Sequence, residues 1–159
     1  MAIENLEQDQ SLVRWVTFKL AGELYGINVM QVKEVLKQTE ISPVPGAPDY
    51  VLGIINLRGN VVTVIDTRRK FGLEHKDSDD TMRVVIIESD EQMVIGLLVD
   101  SVAQVVNLKS ADIEASPNVG TEESSKYISG VAMTGEELLI LCDVNRLLAD
   151  TEWKEIALL

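Results

Sequence analysis

Alternating apolar and polar positions near the start of the chain predict a β-hairpin. Residues 15–20 alternate, with Phe18 on the apolar face of a strand and Thr17 on its polar face. A turn at residues 21–23 separates them from a second apolar segment at residues 24–29. Two strands joined by so short a turn are expected to pair antiparallel.

Two different segments separate this hairpin from the next strand. The apolar residues of 29–36 recur with helical spacing, whereas its valines favour an extended backbone. We therefore expect a short turn that runs into a strand. Residues 42–48 carry three of the four prolines and predict a rigid connector without regular structure.

Residues 51–72 contain a strand, a turn, a second strand and a short helix. An apolar run is followed by the turn Asn-Leu-Arg-Gly, and residues 61–65 predict a strand that is buried on both faces. Asp66 follows this strand and is placed to cap a short helix at residues 67–71. An altered copy of this segment returns near the C-terminus.

A charged loop without apolar residues, His75–Thr81, marks a possible internal boundary. The strand pattern restarts after it, which favours this interpretation. The pattern then predicts a second hairpin at residues 83–89 and 93–99, a further strand at 102–108 and a polar stretch at 109–126. After these it predicts a strand at residues 138–143, a helix at 144–148 and a C-terminal helical turn at 151–159.

Two sequence offsets indicate an internal repeat. At an offset of 70, residues 26–35 fall on residues 96–105. At an offset of 77, four residues of the first half fall on identical residue types: Tyr50 on Tyr127, Gly53 on Gly130, Asp66 on Asp143 and Arg69 on Arg146. We interpret the repeat as two similar β-barrels of roughly 65 residues each, packed together because neither buries enough surface alone. A cleft between them would suit a partner.

The repeat predicts the domain organisation. We expect one domain at residues 13–150, made of two halves at about 13–75 and 82–150. Residues 1–12 are polar and acidic without a period, which predicts a flexible leader. Residues 151–159 are expected to form a C-terminal helical tail.

Charge and composition narrow the classes of function. The 14 Lys and Arg against 26 Asp and Glu give a formal net charge of −12, which opposes attraction to nucleic acid and to anionic lipid. The single Cys142 lies in an apolar run and predicts a buried thiol in a reducing compartment. No apolar run approaches the roughly 18 residues of a membrane-spanning helix. We expect a cytoplasmic protein without a nucleic-acid partner or direct membrane insertion.

The residue types that carry catalysis are sparse. The sequence has no phosphate-binding glycine loop, metal-ligand spacing or nucleophile motif, so we expect no cofactor and no metal. His75 is the only histidine and falls in a solvated loop. Asp66 and Asp143 could pair as catalytic carboxylates, but each follows a buried strand, where capping is the ordinary role. These observations favour a binding module over an enzyme.

Arg58 is the best candidate for a binding residue. It precedes a glycine on a tight turn, and Glu34 lies in a segment expected nearby, so the two predict a bidentate ion pair. An ordinary surface arginine remains an alternative. For the valines Val32, Val102 and Val105, a place in the core and a place in an interface both stay open.

Four sets of residues carry a resemblance to a known family: Tyr25-Gly26-Ile27 with Val32-Lys33-Glu34-Val35, Gly53 with Asn56-Leu57-Arg58-Gly59, Val64-Ile65-Asp66 with Arg68 and Phe71, and Gly96 with Val99-Asp100 and Val102. On these residues the sequence resembles the CheW family of bacterial chemotaxis coupling proteins, from Val13 to Leu148. Two departures are Thr63, where many members have proline, and Thr67, where leucine is common. Thr63 restores a backbone donor, and we expect it to change edge pairing with a partner.

The resemblance implies both a fold and a role. The implied fold is mainly β, with two intertwined SH3-like five-stranded β-barrels, short helices and a C-terminal helix. The implied role is a signal-transduction adaptor that couples the cytoplasmic tips of methyl-accepting chemoreceptors to the regulatory domain of the histidine kinase CheA, in arrays at the membrane. The positions that the family links to receptor binding or complex assembly match Val32, Glu34, Gly53, Arg58, Val84, Gly96, Val102 and Val105.

Two alternatives to this role remain open at this point. One is the same adaptor role in a chemosensory pathway that does not control flagella. The other is a small hydrolase that uses Asp66 and Asp143.

Overall fold

The computed structural model describes residues 12–37, 39–115 and 124–159. This part of the chain folds into ten strands and two short α-helices, with 3₁₀ turns between some of them. The elements are β1 (Leu12–Leu20), β2 (Glu23–Asn28), β3 (Val32–Leu36), β4 (Val51–Leu57), β5 (Asn60–Asp66), α1 (Thr67–Lys70), β6 (Arg83–Glu88), β7 (Val94–Val99), β8 (Ser101–Lys109), β9 (Ile128–Thr134), β10 (Glu137–Cys142) and α2 (Asp150–Ala157).

The predicted leader at residues 1–12 lies outside the described residues, except that Leu12 begins β1. Residues 116–123 of the predicted polar stretch lie outside them as well. No helix in the described ranges is long and apolar enough to cross a bilayer.

The strands form two five-stranded sheets, which confirms the expected mainly β fold. The first sheet has the order β8-β1-β2-β10-β9 and the second has the order β3-β6-β7-β5-β4. Strands β1–β5 correspond in order to β6–β10, so the two sheets follow one plan. Each sheet combines a hairpin of one repeat with three strands of the other.

This exchange of strands changes the expected division of the chain. The first sheet takes its strands from residues 12–28 and 101–142, and the second from residues 32–99. The loop His75–Thr81 therefore separates the two repeats but not the two barrels, because β5 and β6 belong to the same sheet. The halves at 13–75 and 82–150 are therefore repeats and not separate barrels. Each repeat contributes two strands to one sheet and three strands to the other.

Equivalent hydrogen bonds occur in both repeats at the predicted offset of 77. The backbone N–H of Asp66 donates to Tyr50 O over 2.8 Å, and that of Asp143 donates to Tyr127 O over 2.9 Å. Single β-bridges also correspond, because Ser42 pairs with Ile54 and Glu114 pairs with Val131. The repeat seen in the sequence is thus a repeat of the backbone.

A shared core joins the two sheets. Four aromatic rings form a continuous row, with centroid distances of 5.9 Å from Phe18 to Tyr25, 5.4 Å from Tyr25 to Phe71 and 5.5 Å from Phe71 to Tyr127. Two smaller clusters fill the separate barrels: Trp15, Leu24, Leu108, Ala132, Leu139 and Leu141 in the first sheet, and Ile55, Val62, Val64, Val84 and Ile86 in the second. Because residues of both repeats build the central core, the barrels are expected to fold together.

The predicted hairpins β1–β2 and β6–β7 and the turn into β3 are confirmed. Two burial predictions were wrong. Thr17 is fully buried because its hydroxyl exchanges hydrogen bonds with the backbone of Gln104 in β8, at 2.6 and 3.0 Å. Val61 is 66% exposed because it lies at the hairpin end of β5, beyond the part that β7 covers.

The remaining differences concern single elements. The helix expected at residues 144–148 is a 3₁₀ turn at Val144–Arg146, followed by two buried leucines. No strand was predicted at the position of β9, although at the offset of 77 it corresponds to β4. Thr63 does not lie at an edge, since β5 is enclosed by β4 and β7.

Candidate partner-binding surface

The turn between β4 and β5 presents Arg58 to solvent. Both of its central residues have a positive φ, 50° at Arg58 and 88° at Gly59, as in a type I′ hairpin turn. Glycine adopts this conformation without cost, but an arginine is strained in it. The Asn56 side chain offsets that strain, because its Oδ1 accepts a hydrogen bond of 2.9 Å from the Gly59 N–H.

Arg58 forms the predicted ion pair with Glu34 of β3. Its Nη1 donates to Glu34 Oε1 over 3.3 Å and its Nη2 donates to Oε2, so the pair is bidentate. The hydrogen bonds from Arg58 lower the pKa of Glu34, and Glu34 in turn raises the pKa of Arg58. The arginine side chain is 73% exposed, so the pair fixes a guanidinium where a partner can reach it.

A groove of about 200 Å³ lies beside this ion pair. Its apolar walls come from the second sheet, and the Lys33 side chain, paired with Glu88 at 2.6 Å, stands at its rim. The groove is lined by Lys33, Glu34, Leu57, Arg58, Asn60, Val61, Val62, Ile86 and Val94. We name these residues the Arg58 surface. A fixed charge beside an apolar groove is a typical arrangement for protein recognition.

Three of the residues predicted from the family lie in the second sheet but do not line this surface. Val84 is 1% exposed, and a Cβ on Gly96 would lie 2.8 Å from its Cγ1, so the two positions pack directly together. A Cβ on Gly53 would lie 2.2 Å from the carbonyl oxygen of Ser42, in the bridge that precedes β4. These three positions are thus closely packed parts of the second sheet.

The other predicted residues lie elsewhere. Val32 and Val102 occupy corresponding positions in the two repeats, and both pack partly buried against the central core. Val105 is 54% exposed on β8 of the first sheet, opposite Val16 of β1. The structure thus joins Glu34 to Arg58 and Val84 to Gly96, but it leaves Val105 on a different barrel.

The groups considered for catalysis have structural partners. Asp66 Oδ1 accepts from the Arg69 N–H over 3.2 Å and Asp143 Oδ1 accepts from the Asn145 N–H over 2.9 Å, which confirms both as caps. His75 lies exposed beside Asp77 at 3.2 Å. Burial raises the pKa of the Cys142 thiol to about 12, which suppresses its thiolate. Within the described ranges no group of three or more His, Cys, Asp or Glu side chains is placed to hold a metal.

Sequence reasoning missed a buried ion pair between the repeats. Arg68 donates to Asp100 through Nε at 2.8 Å and Nη2 at 2.6 Å, and the Ala21 N–H donates to the same carboxylate at 2.9 Å. Burial opposes ionisation of Asp100, but the hydrogen bonds from Arg68 and Ala21 outweigh it and hold its pKa below the ordinary value. The sequence signal that could have revealed this pair is Asp100, a carboxylate directly after a buried apolar strand.

Comparisons with known proteins agree with this architecture. A family model described as the CheW-like domain matches residues 14–152. Chemotaxis protein CheW of Treponema pallidum (strain Nichols) is 35% identical over 145 residues, which cover 89% of this chain and 85% of that protein. Chemotaxis protein CheW of Klebsiella aerogenes is 33% identical over 138 residues, covering 87% of this chain and 82% of that protein.

A solved structure shows the same fold. The crystal structure of the scaffolding protein TtCheW from Thermoanaerobacter tengcongensis superposes with a TM-score of 0.81 and 32% sequence identity, covering 89% of this chain and 96% of that chain. Two related SH3-like barrels with a charged, grooved surface define a protein-binding scaffold. The chain belongs to the CheW family and is a chemotaxis adaptor protein.

Proposed function

We propose that this adaptor couples methyl-accepting chemoreceptors to the histidine kinase CheA through contacts that include the Arg58 surface. Its partners would be the regulatory domain of the kinase and the cytoplasmic tips of the receptors. The protein would then work in the cytoplasm, recruited to receptor arrays at the membrane. It would transmit signals through contacts alone, without a catalytic step or a cofactor.

The bidentate pair of Arg58 and Glu34 carries this proposal. The guanidinium keeps an exposed position although its backbone is strained there, and neither feature is needed to close a two-residue hairpin turn. A strained, exposed and oriented arginine is more easily explained by binding than by stability. Its planar donors also suit a carboxylate or carbonyl groups on a partner.

The buried members of the predicted set would contribute indirectly. Substitutions at Val84, Gly96 or Gly53 would move the strands on which Glu34 and Arg58 lie, because each position is closely packed. Val102 and Val105 would belong to a second contact area on the first sheet. A receptor and a kinase could then bind the same adaptor at different barrels.

Pull-down of the kinase and of the receptor tip with Arg58→Glu tests the site. Charge reversal should abolish the bidentate pair and reduce capture of at least one partner by at least about tenfold. Arg69→Glu is the matched control, since Arg69 is also exposed and paired with a carboxylate, Asp49, at 3.2 Å, but it does not line the Arg58 surface.

Thermal melting must accompany the pull-down, because reversal beside Glu34 places two carboxylates together. Undiminished capture of both partners by folded Arg58→Glu would refute the site. Capture lost equally in Arg69→Glu would point to a general effect of charge and would also count against it.

A further inference from the structure

A second groove lies between the β6–β7 turn and the C-terminal helix α2. Its volume is about 230 Å³, and an adjoining groove of about 330 Å³ shares four of its residues. The first groove is lined by Ser89, Asp90, Glu91, Met93, Asn145, Asp150 and Trp153. We name it the α2 groove. None of its residues belongs to the Arg58 surface.

The internal repeat supplies a comparison for this groove. At the offset of 77, Asn145 stands where Arg68 stands in the first repeat, and Thr151 of α2 stands where Glu74 stands. Arg68 fills the space between a hairpin turn and the segment after α1: it binds Asp100 beside the β1–β2 turn and donates to Glu74 O over 2.8 Å. The α2 groove lies at the corresponding place in the second repeat.

The Asn145 side chain fills only part of the space between the β6–β7 turn and α2. Asn145 Oδ1 accepts from the Asp90 N–H over 2.8 Å, and its Nδ2 donates to Asp90 Oδ2 over 3.0 Å. These bonds hold the β6–β7 turn, as Asp100 holds the β1–β2 turn. The shorter side chain does not reach α2, and the groove remains where the arginine of the first repeat lies.

Charge and surface chemistry of the α2 groove favour a cation with a flat apolar face. Asp90, Glu91 and Asp150 line it, and among the described residues Glu91 and Asp150 have no ion-pair partner. Trp153 and Met93 supply its apolar wall. A guanidinium stacks on an aromatic ring and pairs with carboxylates at its edge, which an ammonium does less well.

No lysine or arginine lines the α2 groove itself, and Lys154 of α2 lines only the adjoining groove. Residues 1–11, 38 and 116–123, which the structure does not describe, contain no lysine or arginine. We propose that the α2 groove binds an arginine side chain from a segment of a partner protein. This site goes beyond the coupling role proposed for the Arg58 surface and does not depend on it.

Titration of the isotopically labelled chain with N-acetyl-L-arginine amide tests the proposal by NMR. Saturable shifts should appear at the Trp153 indole N–H and at the Asn145 side-chain amide. N-acetyl-L-citrulline amide has nearly the same shape without the charge, and it should bind at least about tenfold more weakly. The test uses neither kinase nor receptor, so its outcome is independent of the Arg58 surface.

Two variants and a control sharpen the test. Glu91→Gln with Asp150→Asn removes two exposed charges and should weaken binding of the arginine probe at least about tenfold. Glu40→Gln with Asp80→Asn makes the same change in charge away from the groove and should leave binding unchanged. Asn145→Arg should place the chain's own guanidinium in the groove, abolish probe binding and leave the melting temperature no lower.

Three results would overturn the assignment. The first is the absence of saturable shifts at Trp153 and Asn145. The second is equal binding of the arginine probe to the Glu91→Gln, Asp150→Asn variant, and the third is equal binding of the citrulline derivative to the unmodified chain. Because Glu91 and Asp150 are exposed, their substitution decides the question even if Asn145→Arg does not fold.

Discussion

The β4–β5 hairpin and the β9–β10 hairpin share a backbone plan but differ at their tips. Each ends at a capping aspartate, Asp66 or Asp143, whose N–H donates to the tyrosine that precedes the hairpin. The tip of the first carries Arg58 and Gly59, both with positive φ, whereas in the second only Gly135 has positive φ. At the offset of 77, Gly135 occupies the position of Arg58.

This difference separates what the fold requires from what binding requires. The contacts at the base of each hairpin recur because they hold the hairpin in its barrel. The tip projects into solvent and can change without loss of the core. A residue that is strained at the tip of one hairpin and replaced by glycine in the other is therefore a candidate for function rather than stability.

The largest expected effect compares the two glycines at equivalent positions of β4 and β9. In Gly53→Ala the new Cβ would meet a rigid backbone oxygen, that of Ser42, at 2.2 Å. In Gly130→Ala it would meet the Cγ2 methyl of Ile113 at 2.8 Å and the carbonyl oxygen of Glu114 at 3.1 Å, which are less severe contacts. We expect a loss of about 3 kcal/mol or more for Gly53→Ala and about 1 kcal/mol for Gly130→Ala. Urea denaturation measures both, and equal losses would contradict the comparison.

The next effect compares the carboxylates that hold the two equivalent hairpin turns, Asp100 at the β1–β2 turn and Asp90 at the β6–β7 turn. Asp100 is buried against the Arg68 guanidinium, whereas Asp90 is exposed and bonded to the neutral amide of Asn145. Asp100→Asn should cost about 3 kcal/mol, because it leaves Arg68 buried without its anion. Asp90→Asn should cost under about 1 kcal/mol. Thermal or urea unfolding of the two variants at neutral pH checks the order.

The contribution of Asp100 should also depend on pH. Its pKa is lower in the folded chain than its ordinary value, so the stabilisation is present above the unfolded pKa and is lost as the pH falls through the folded pKa. The difference in unfolding free energy between the unmodified chain and Asp100→Asn should therefore shrink below about pH 4. A difference that grows on acidification would show that the carboxylate is not held ionised by Arg68.

The smallest expected loss of stability comes from removing the capping aspartates, and it should be about the same for the two hairpins. Asp66→Ala and Asp143→Ala each remove one cap hydrogen bond from a short helical turn, so each should cost about 1 kcal/mol. Melting curves of both variants provide the measurement. A much larger loss for one of them would mean that its carboxylate does more than cap.

The local structure could be predicted from the sequence to a large extent. Hairpins and caps follow from periodicity and turn residues, because each depends on a few neighbouring positions. The ion pair of Glu34 with Arg58 joins residues 24 positions apart and was predicted from their opposite charges and their expected proximity. The repeat predicted that Gly53 and Gly130 occupy equivalent positions. It also predicted a second barrel, although no strand was predicted at the position of β9.

The pairing of distant strands could not be predicted in the same way. Periodicity tells which residues of a strand share a face, but not which strand lies next to it. The exchange of three strands between the repeats and the burial of Thr17 against β8 both depend on such pairing. The α2 groove and the ion pair of Arg68 with Asp100 likewise depend on contacts between segments that are distant in sequence.

The most direct test of the proposed binding role is Arg58→Gly, which places at the tip of the β4–β5 hairpin the residue type that Gly135 supplies in the β9–β10 hairpin. Arg58→Gly removes the guanidinium and relieves the strained φ, so the melting temperature should stay within about 4 °C of the unmodified chain. Affinity for the kinase regulatory domain or the receptor tip should fall at least about tenfold in a binding titration. A folded Arg58→Gly variant that binds both partners as tightly as the unmodified chain would contradict the central claim.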